Sequence, residues 1–319
     1  MIPLLLLACS GSTTSATTLV AVDGSSTVYP ISEAVAEAHQ SAGGRVTIGV
    51  SGTGGGFKKF CRGELHVTGA SRPISTAEQA ACDEAGHAFI ELPVAYDGIA
   101  VVINPSNTWA ETMTVSELKA LWQPEAQGVV VRWDQIRDGW PSEEVHLFGP
   151  GVDSGTYDYF TRAVVGEEHA SRGDITSSED DNVLVQGVAR DPYALGFFGL
   201  AYFEDNADKL KAVRIDGGSG AAVAPSGATV ADGSYRPLSR PVFLYVRADA
   251  AEDPAVAAYV DDYLSERGHG LVAEVGYVPL STEARAMVRD RFRARTTGSL
   301  FGGEAQAAAG VDARLRGSL

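Results

Sequence analysis

From Leu19 onward, short runs of valine, isoleucine and leucine alternate with segments of helical periodicity, and three times a strand ends in a glycine, serine and threonine cluster that leads straight into a helix. This alternation commits the chain to an α/β architecture, because parallel strands need crossover helices that cover the sheet on both faces. Strands are expected at 19–22, 46–50, 65–70, 88–93, 99–103, 145–148, 195–200 and 242–246. Ile31, Ala34, Val35 and Ala38 keep one helical face, and Val115, Leu118, Leu121 and Trp122 keep another, which Thr114 and Glu117 open as a capping box. Two extended segments, 91–98 and 235–242, read as crossings, so the chain leaves a first lobe, builds a second and returns. The expected division is a leader and tether at 1–18, lobe I at 19–95 plus 242–296, lobe II at 96–241 and a C-terminal tail at 297–319. The Gly/Ser/Ala-rich stretch 216–233 reads as a surface excursion, and beyond Arg295 periodicity fades, which suggests a poorly ordered tail.

The three strand-to-helix clusters are Asp23-Gly-Ser-Ser-Thr27, Ser51-Gly-Thr-Gly-Gly-Gly56 and Asp153-Ser-Gly-Thr156. Each offers backbone N–H groups at a helix N-terminus beside hydroxyl donors, with no bulky side chain in the way. In open α/β sheets such loops gather at the carboxyl ends of the strands, where ligands sit. One cluster alone is ordinarily a helix cap; three in a two-lobed chain point to an oxyanion site. Arg72, in Gly69-Ala-Ser-Arg-Pro73, fits the set, since a guanidinium grips an oxyanion bidentately, and Ser71 adds a donor. The alternative for Arg72 is a solvated surface arginine. Nucleotide loops are excluded: Phe57 stands where a dinucleotide fingerprint needs glycine, and no Gly-Lys-Ser/Thr occurs.

A net charge of −16 argues against nucleic acid, which requires a basic stripe. The same acidity is a weak obstacle to a small anion, because fields are screened beyond ~8 Å at physiological salt. The six histidines lie in unrelated contexts, with no Gly-x-Ser-x-Gly elbow and no His-Glu-x-x-His. No enzyme activity, cofactor or metal site is therefore expected; a phosphatase is the rival reading from another class. The apolar start ending in Leu6-Leu7-Ala8-Cys9 is similar to a lipobox, although the usual basic residues are missing before it. It is too short to span a bilayer, which takes ~20 apolar residues. Lipidation at Cys9 leaves Cys61 and Cys82, which either pair in an oxidising compartment or stay as buried thiols.

The segments GSSTVYPISEAVA, VSGTGGGFKKFCRGE, GASRPIS, GPGVDSGTYDYF and DDNVLVQGVARDPYALGFFG resemble successive blocks of PstS-type phosphate-binding proteins, above all the SphX-like branch, over about residues 19–301. The resemblance implies a type II periplasmic-binding-protein fold and a monomer that holds inorganic phosphate between its lobes. It also implies a periplasmic or cell-surface location and delivery to an ABC permease and ATPase of the PstC/PstA/PstB type. Carried over by position, the ligand residues are Thr27, Thr53, Ser154, Gly155 and Thr156, with Ser26 and Gly54 as neighbours. Two positions depart from the pattern: Arg72 replaces an aspartate, and Pro150 stands where an arginine precedes the loop serine by four residues. The lost carboxylate matters for rejecting sulfate, and Asp153 is the expected replacement acceptor, with Asp97 and Asp181 behind it and Asn182 within reach of the cleft. Sulfate or molybdate is the alternative ligand.

Overall fold

The structure, a computed structural model, describes residues 18–152, 154–178, 180–302 and 311–317. The leader with Cys9 lies outside the described residues, as does Asp153. Three parallel strands with intervening helices open the fold: β1 (Val20–Gly24), α1 (Tyr29–Ser41), β2 (Val46–Ile48), α2 (Gly52–Cys61), β3 (Val67–Ala70) and α3 (Thr76–Glu84). Next comes β4 (Phe89–Ile103), buried at every position, whose only charges are Glu91 and Asp97. A run so apolar is stable only inside a sheet covered on both faces.

The second half contains β5 (Thr112–Thr114), α4 (Val115–Trp122), β6 (His146–Pro150), α5 (Gly155–Phe160), β7 (Thr176–Ser178), α6 (Asp181–Arg190), β8 (Ala194–Gly199), α7 (Leu200–Glu204), β9 (Lys211–Ala212), β10 (Arg214–Asp216) and α8 (Gly227–Ala231). The return strand is β11 (Ser239–Arg247), followed by α9 (Pro254–Tyr263), α10 (Glu266–Glu274), β12 (Val278–Pro279), α11 (Thr282–Arg293) and α12 (Val311–Gly317). The hydrogen-bonded order is β2-β1-β3-β11-β4-β8-β6-β7, with β9 and β12 also on β4, while β5 and β10 make a separate ribbon. The first part of β4 pairs with β11 and its last part with β8, so one strand belongs to both halves. The α/β expectation with two crossing strands therefore holds.

Several local expectations are corrected. The segments 88–93 and 99–103 are one strand, because the β11 register shifts between Val242 and Phe243, opposite Pro93, and that irregularity takes up the proline's missing N–H. Helix α2 begins at Gly52, before the expected Phe57, so its glycines are helical. Gly56 serves packing: a Cβ there would lie 2.4 Å from Thr68 Oγ1 and 2.7 Å from the Gly24 Cα. The stretch 216–233 is not wholly a surface excursion, since it contains α8, capped by Ser226 and seated by the buried Val230. The described part of the tail is ordered. Gly298 bridges to Ile90 of β4, Phe301 is buried edge-on against Phe243, and α12 buries Val311 and Leu315. Fading periodicity missed this because single anchors, not a stripe, hold the segment.

Cys61 and Cys82 form a disulfide joining α2 to α3. It closes a loop of 21 residues, and restricting the unfolded chain over such a loop stabilises by roughly 3 kcal/mol. A Cys61→Ala/Cys82→Ala variant should lose about that much unfolding free energy in a denaturant titration. Reductant should destabilise the native chain similarly and leave the variant unaffected.

Candidate functional site

Strand β1 ends at Gly24, where φ is +140° and a Cβ would lie 2.2 Å from the Gly69 carbonyl oxygen, so the turn requires glycine. The turn sets Ser25 to Thr27 over the carboxyl ends of β1 and β3, with the Ser25 N–H donating to Gly69 O at 3.0 Å. Asp23 does not face a ligand. Its carboxylate accepts from the Gly24 N–H, Ser51 Oγ and Lys59 Nζ at 2.6, 2.8 and 2.6 Å, which ties the first loop to the second. Burial works against that carboxylate, but these donors outweigh it and hold its pKa below the usual value. In the second loop, Thr53 Oγ1 accepts from the Ser71 N–H at 3.2 Å and lies 3.1 Å from Ser71 Oγ. Nothing crowds Gly54, where a Cβ would meet open space.

The third loop belongs to the other half. Ser154 caps α5 by accepting from the Thr156 N–H at 3.2 Å. A Cβ on Gly155 would lie 2.8 Å from the Thr27 Cα and 2.9 Å from Thr27 Oγ1. The two halves are thus in direct contact, first loop against third.

The guanidinium at this junction is Arg240, which sequence reasoning missed. It lies directly across from Asp97 in the β4–β11 register and donates to Asp97 Oδ2 through Nε (3.3 Å) and Nη2 (3.2 Å). Nη2 also donates to Thr27 Oγ1 at 3.1 Å, and the group stacks 3.7 Å above the Tyr159 ring centre. Tyr277, from the β12 approach, donates to the Thr27 carbonyl. The Arg240 and Asp97 side chains are only 14% and 6% exposed. Burial drives the Asp97 pKa upward, with Arg240 opposing the rise. A partial signal existed: one crossing segment carries only acidic charges, Glu91 and Asp97, and the other only basic ones, Arg236 and Arg240.

Arg72, by contrast, is engaged within its own half. Its Nη1 and Nη2 each donate to Glu78 at 2.8 Å, and its guanidinium stands 5.7 Å from the Phe57 ring centre. The capping box of α3, formed by Ser75 and Glu78, fixes that carboxylate beside the Arg72 turn, so the arginine is held in a local ion pair. A cavity of about 350 Å³ opens along the junction, bordered by Ser26, Asp97, Ser154, Gly155, Thr156 and Asp181. Tyr29, Val50, Tyr202 and Tyr277 also line it. Thr53, Gly54, Ser71 and Arg72 do not border it, Thr27 and Arg240 lie behind its lining next to Gly155 and Asp97, and Asn182 points its amide at Asp180. Among the described residues no cluster of histidine, cysteine and carboxylate side chains fits a metal, and no helix is long and apolar enough to cross a membrane.

Because Gly155 meets Thr27 backbone to backbone, a single methyl there should prop the halves apart. Gly155→Ala is expected to enlarge the radius of gyration in small-angle scattering relative to the wild type in saturating ligand. An unchanged radius would show that this contact does not hold the closed form.

Comparison with known proteins places this geometry. Residues 11–267 match a family described as a PBP superfamily domain. Protein SphX of Synechocystis is 47% identical over 305 residues, covering 94% of this chain and 90% of that protein. The phosphate-binding protein PstS of Staphylococcus saprophyticus is 37% identical over 235 residues, 72% of this chain and 70% of that one. Among solved structures, a possible phosphate binding protein from Planctomyces limnophilus superposes with a TM-score of 0.84 at 46% identity, covering 88% of this chain and all of that one. With its two α/β halves joined by β4 and β11, the type II periplasmic-binding-protein fold expected from the sequence is the fold observed. The chain therefore belongs to the PBP superfamily and, within it, to the family of the SphX and PstS proteins.

Proposed function

We propose that this chain captures inorganic phosphate between its two lobes outside the cytoplasm and hands it, chemically unchanged, to an ABC importer. The observation that carries the reading is the convergence of Ser26 and Thr27 from one half, Ser154 to Thr156 from the other, and Arg240 with Asp97 from the crossing strands, in a member of the SphX and PstS family. Hydrogen bonds to charged groups contribute ~1.5–3 kcal/mol each, and micromolar affinity needs about 8 kcal/mol. Four or five such bonds suffice. In this reading Arg240 supplies the cation first sought in Arg72, while Thr53 and Ser71 brace the loops from behind.

Asp97 takes the role expected of Asp153. A buried carboxylate accepts a hydrogen bond from the O–H of hydrogen phosphate, whereas sulfate, fully ionised, offers none and is repelled. The lobes divide near 95/96 and 241/242, so closing rotates the halves about β4 and β11. The proposed setting is a monomer anchored through lipid on Cys9 at the periplasmic face or cell surface, docking on a PstC/PstA-type permease with its PstB-type ATPase.

Calorimetry on the chain stripped of bound anion tests the ligand. Arg240→Ala should weaken phosphate binding at least tenfold, as loss of a charged contact requires, whereas Arg72→Ala should stay within about threefold. Tighter binding of sulfate or molybdate than of phosphate would replace the ligand, and equal losses in both variants would remove Arg240 from its special place. Separately, Asp97→Asn should narrow the affinity gap between phosphate and sulfate; a gap of unchanged width would mean that another group discriminates.

A further inference from the structure

Arg240 is held to Asp97 less firmly than Arg72 is held to Glu78. Both bonds from Arg240 end on one oxygen, Asp97 Oδ2, at 3.3 and 3.2 Å, longer than the ~2.7–2.9 Å of a strong charge-assisted bond. Arg72 instead grips both Glu78 oxygens at 2.8 Å. A fork closed on two oxygens fixes the guanidinium plane, whereas two long bonds to a single oxygen leave that plane free to tilt. The bond from Nη2 to Thr27 Oγ1 does not fix it independently of closure, since Thr27 belongs to the other half.

The Tyr159 ring supplies what Asp97 lacks. The guanidinium carbon of Arg240 stands 3.7 Å above its centre, and no other cation–ring contact among the described residues is closer than 4.5 Å. That ring is fixed twice over. Tyr159 Oη donates to Pro237 O at 2.6 Å, three residues before Arg240, and the neighbouring Phe160 stacks on Phe197 of β8 with ring centres 3.7 Å apart, which seats α5. Tyr159 is only 6% exposed, and an attraction between cation and ring face is strongest where water is excluded. Gly155 and Tyr159 stand four residues apart on α5 and so share a face. One meets Thr27, and the other meets the guanidinium that donates to Thr27. We infer that Tyr159 is a positioning residue of the phosphate site: its ring sets the plane of the Arg240 guanidinium. Nε and Nη2 are then spent on Asp97 and Thr27, and Nη1, which makes no hydrogen bond to the described residues, is left as the donor for a ligand oxygen. Tyr159, Asp97 and Arg240 all fall within the proposed lobe II, so the plane stays set when the lobes part. This inference rests on the phosphate reading above.

The test is a double-mutant cycle, read by calorimetry with inorganic phosphate on the full chain stripped of bound anion. Tyr159→Leu should weaken phosphate binding about tenfold, as loss of a desolvated cation–π contact allows. In the Arg240→Ala background the same change should weaken it less than about twofold, because a residue that acts only through the arginine has nothing left to act on. Tyr159→Phe, which keeps the ring, should restore most of the affinity that Tyr159→Leu loses. Equal losses in the two backgrounds would make Tyr159 a packing residue and overturn the inference. Unchanged affinity in Tyr159→Leu overturns it as well, and so does a Tyr159→Phe variant as weak as Tyr159→Leu. Should Tyr159→Leu fail to fold by circular dichroism, pentafluorophenylalanine at position 159 decides, since it keeps the ring's shape and reverses the charge of its face. Binding about fivefold or more weaker than in Tyr159→Phe supports the inference, and equal binding overturns it. A wild type that does not bind phosphate at all defeats the phosphate reading, and the inference with it.

Discussion

The ion pair between Asp97 and Arg240 is the constraint around which this molecule is organised. The residues face each other on the two crossing strands, so the pair sits where both halves meet, and Arg240 reaches from it to Thr27 of the first half and Tyr159 of the second. Burying two charges is costly, and a buried pair of this kind is weak evidence for stability in itself. Removing one partner would strand the other and cost on the order of 3–5 kcal/mol. The pair is better understood as a positioning device. It holds a guanidinium in a dry junction without leaving a bare positive charge there.

A second buried carboxylate organises the first half differently. Glu91, six residues before Asp97 on the same strand, accepts from Tyr245 Oη at 2.6 Å, Ser299 Oγ at 2.8 Å and the Leu300 N–H at 2.7 Å. Burial pushes its pKa up, and these donors work against that rise. Tyr245 Oη in turn accepts from the Ile74 N–H at 2.8 Å, so the docked tail, the crossing strand and the turn after Arg72 form one hydrogen-bonded path. Because every member finds a partner, the network rigidifies the wall behind the ligand loops and does not weaken it. Fixed loops lower the ordering cost of binding, and that matters when only four or five bonds supply the affinity.

The glycines of the three clusters divide by task. Gly24 allows a backbone conformation and approach that a side chain would forbid, Gly56 lets α2 lie against the β1 turn, and Gly155 lets the halves close. Gly54 does none of these. A cluster that reads as one anion cradle thus contains positions answering to separate packing demands.

Strands β1 to β4, β6, β8 and β11, the two crossings and the three strand-to-helix turns were legible in the chain, because they follow from local periodicity and turn chemistry that each segment carries by itself, whereas the short β5, β7, β9, β10 and β12 were not. The disulfide was legible as a pairing left open, since two cysteines admit one connectivity but sequence says nothing of their distance. Arg72 and Arg240 show where such reading stops. Both are arginines beside a proline near a strand end, but only Arg72 has its carboxylate partner close by in the chain. The α3 capping box turned Arg72 toward Glu78, and the register of β11 on β4 set Arg240 against Asp97. That Arg240 reaches the ligand loops is decided by contacts more than a hundred residues apart in the chain, and only the folded sheet brings them within reach.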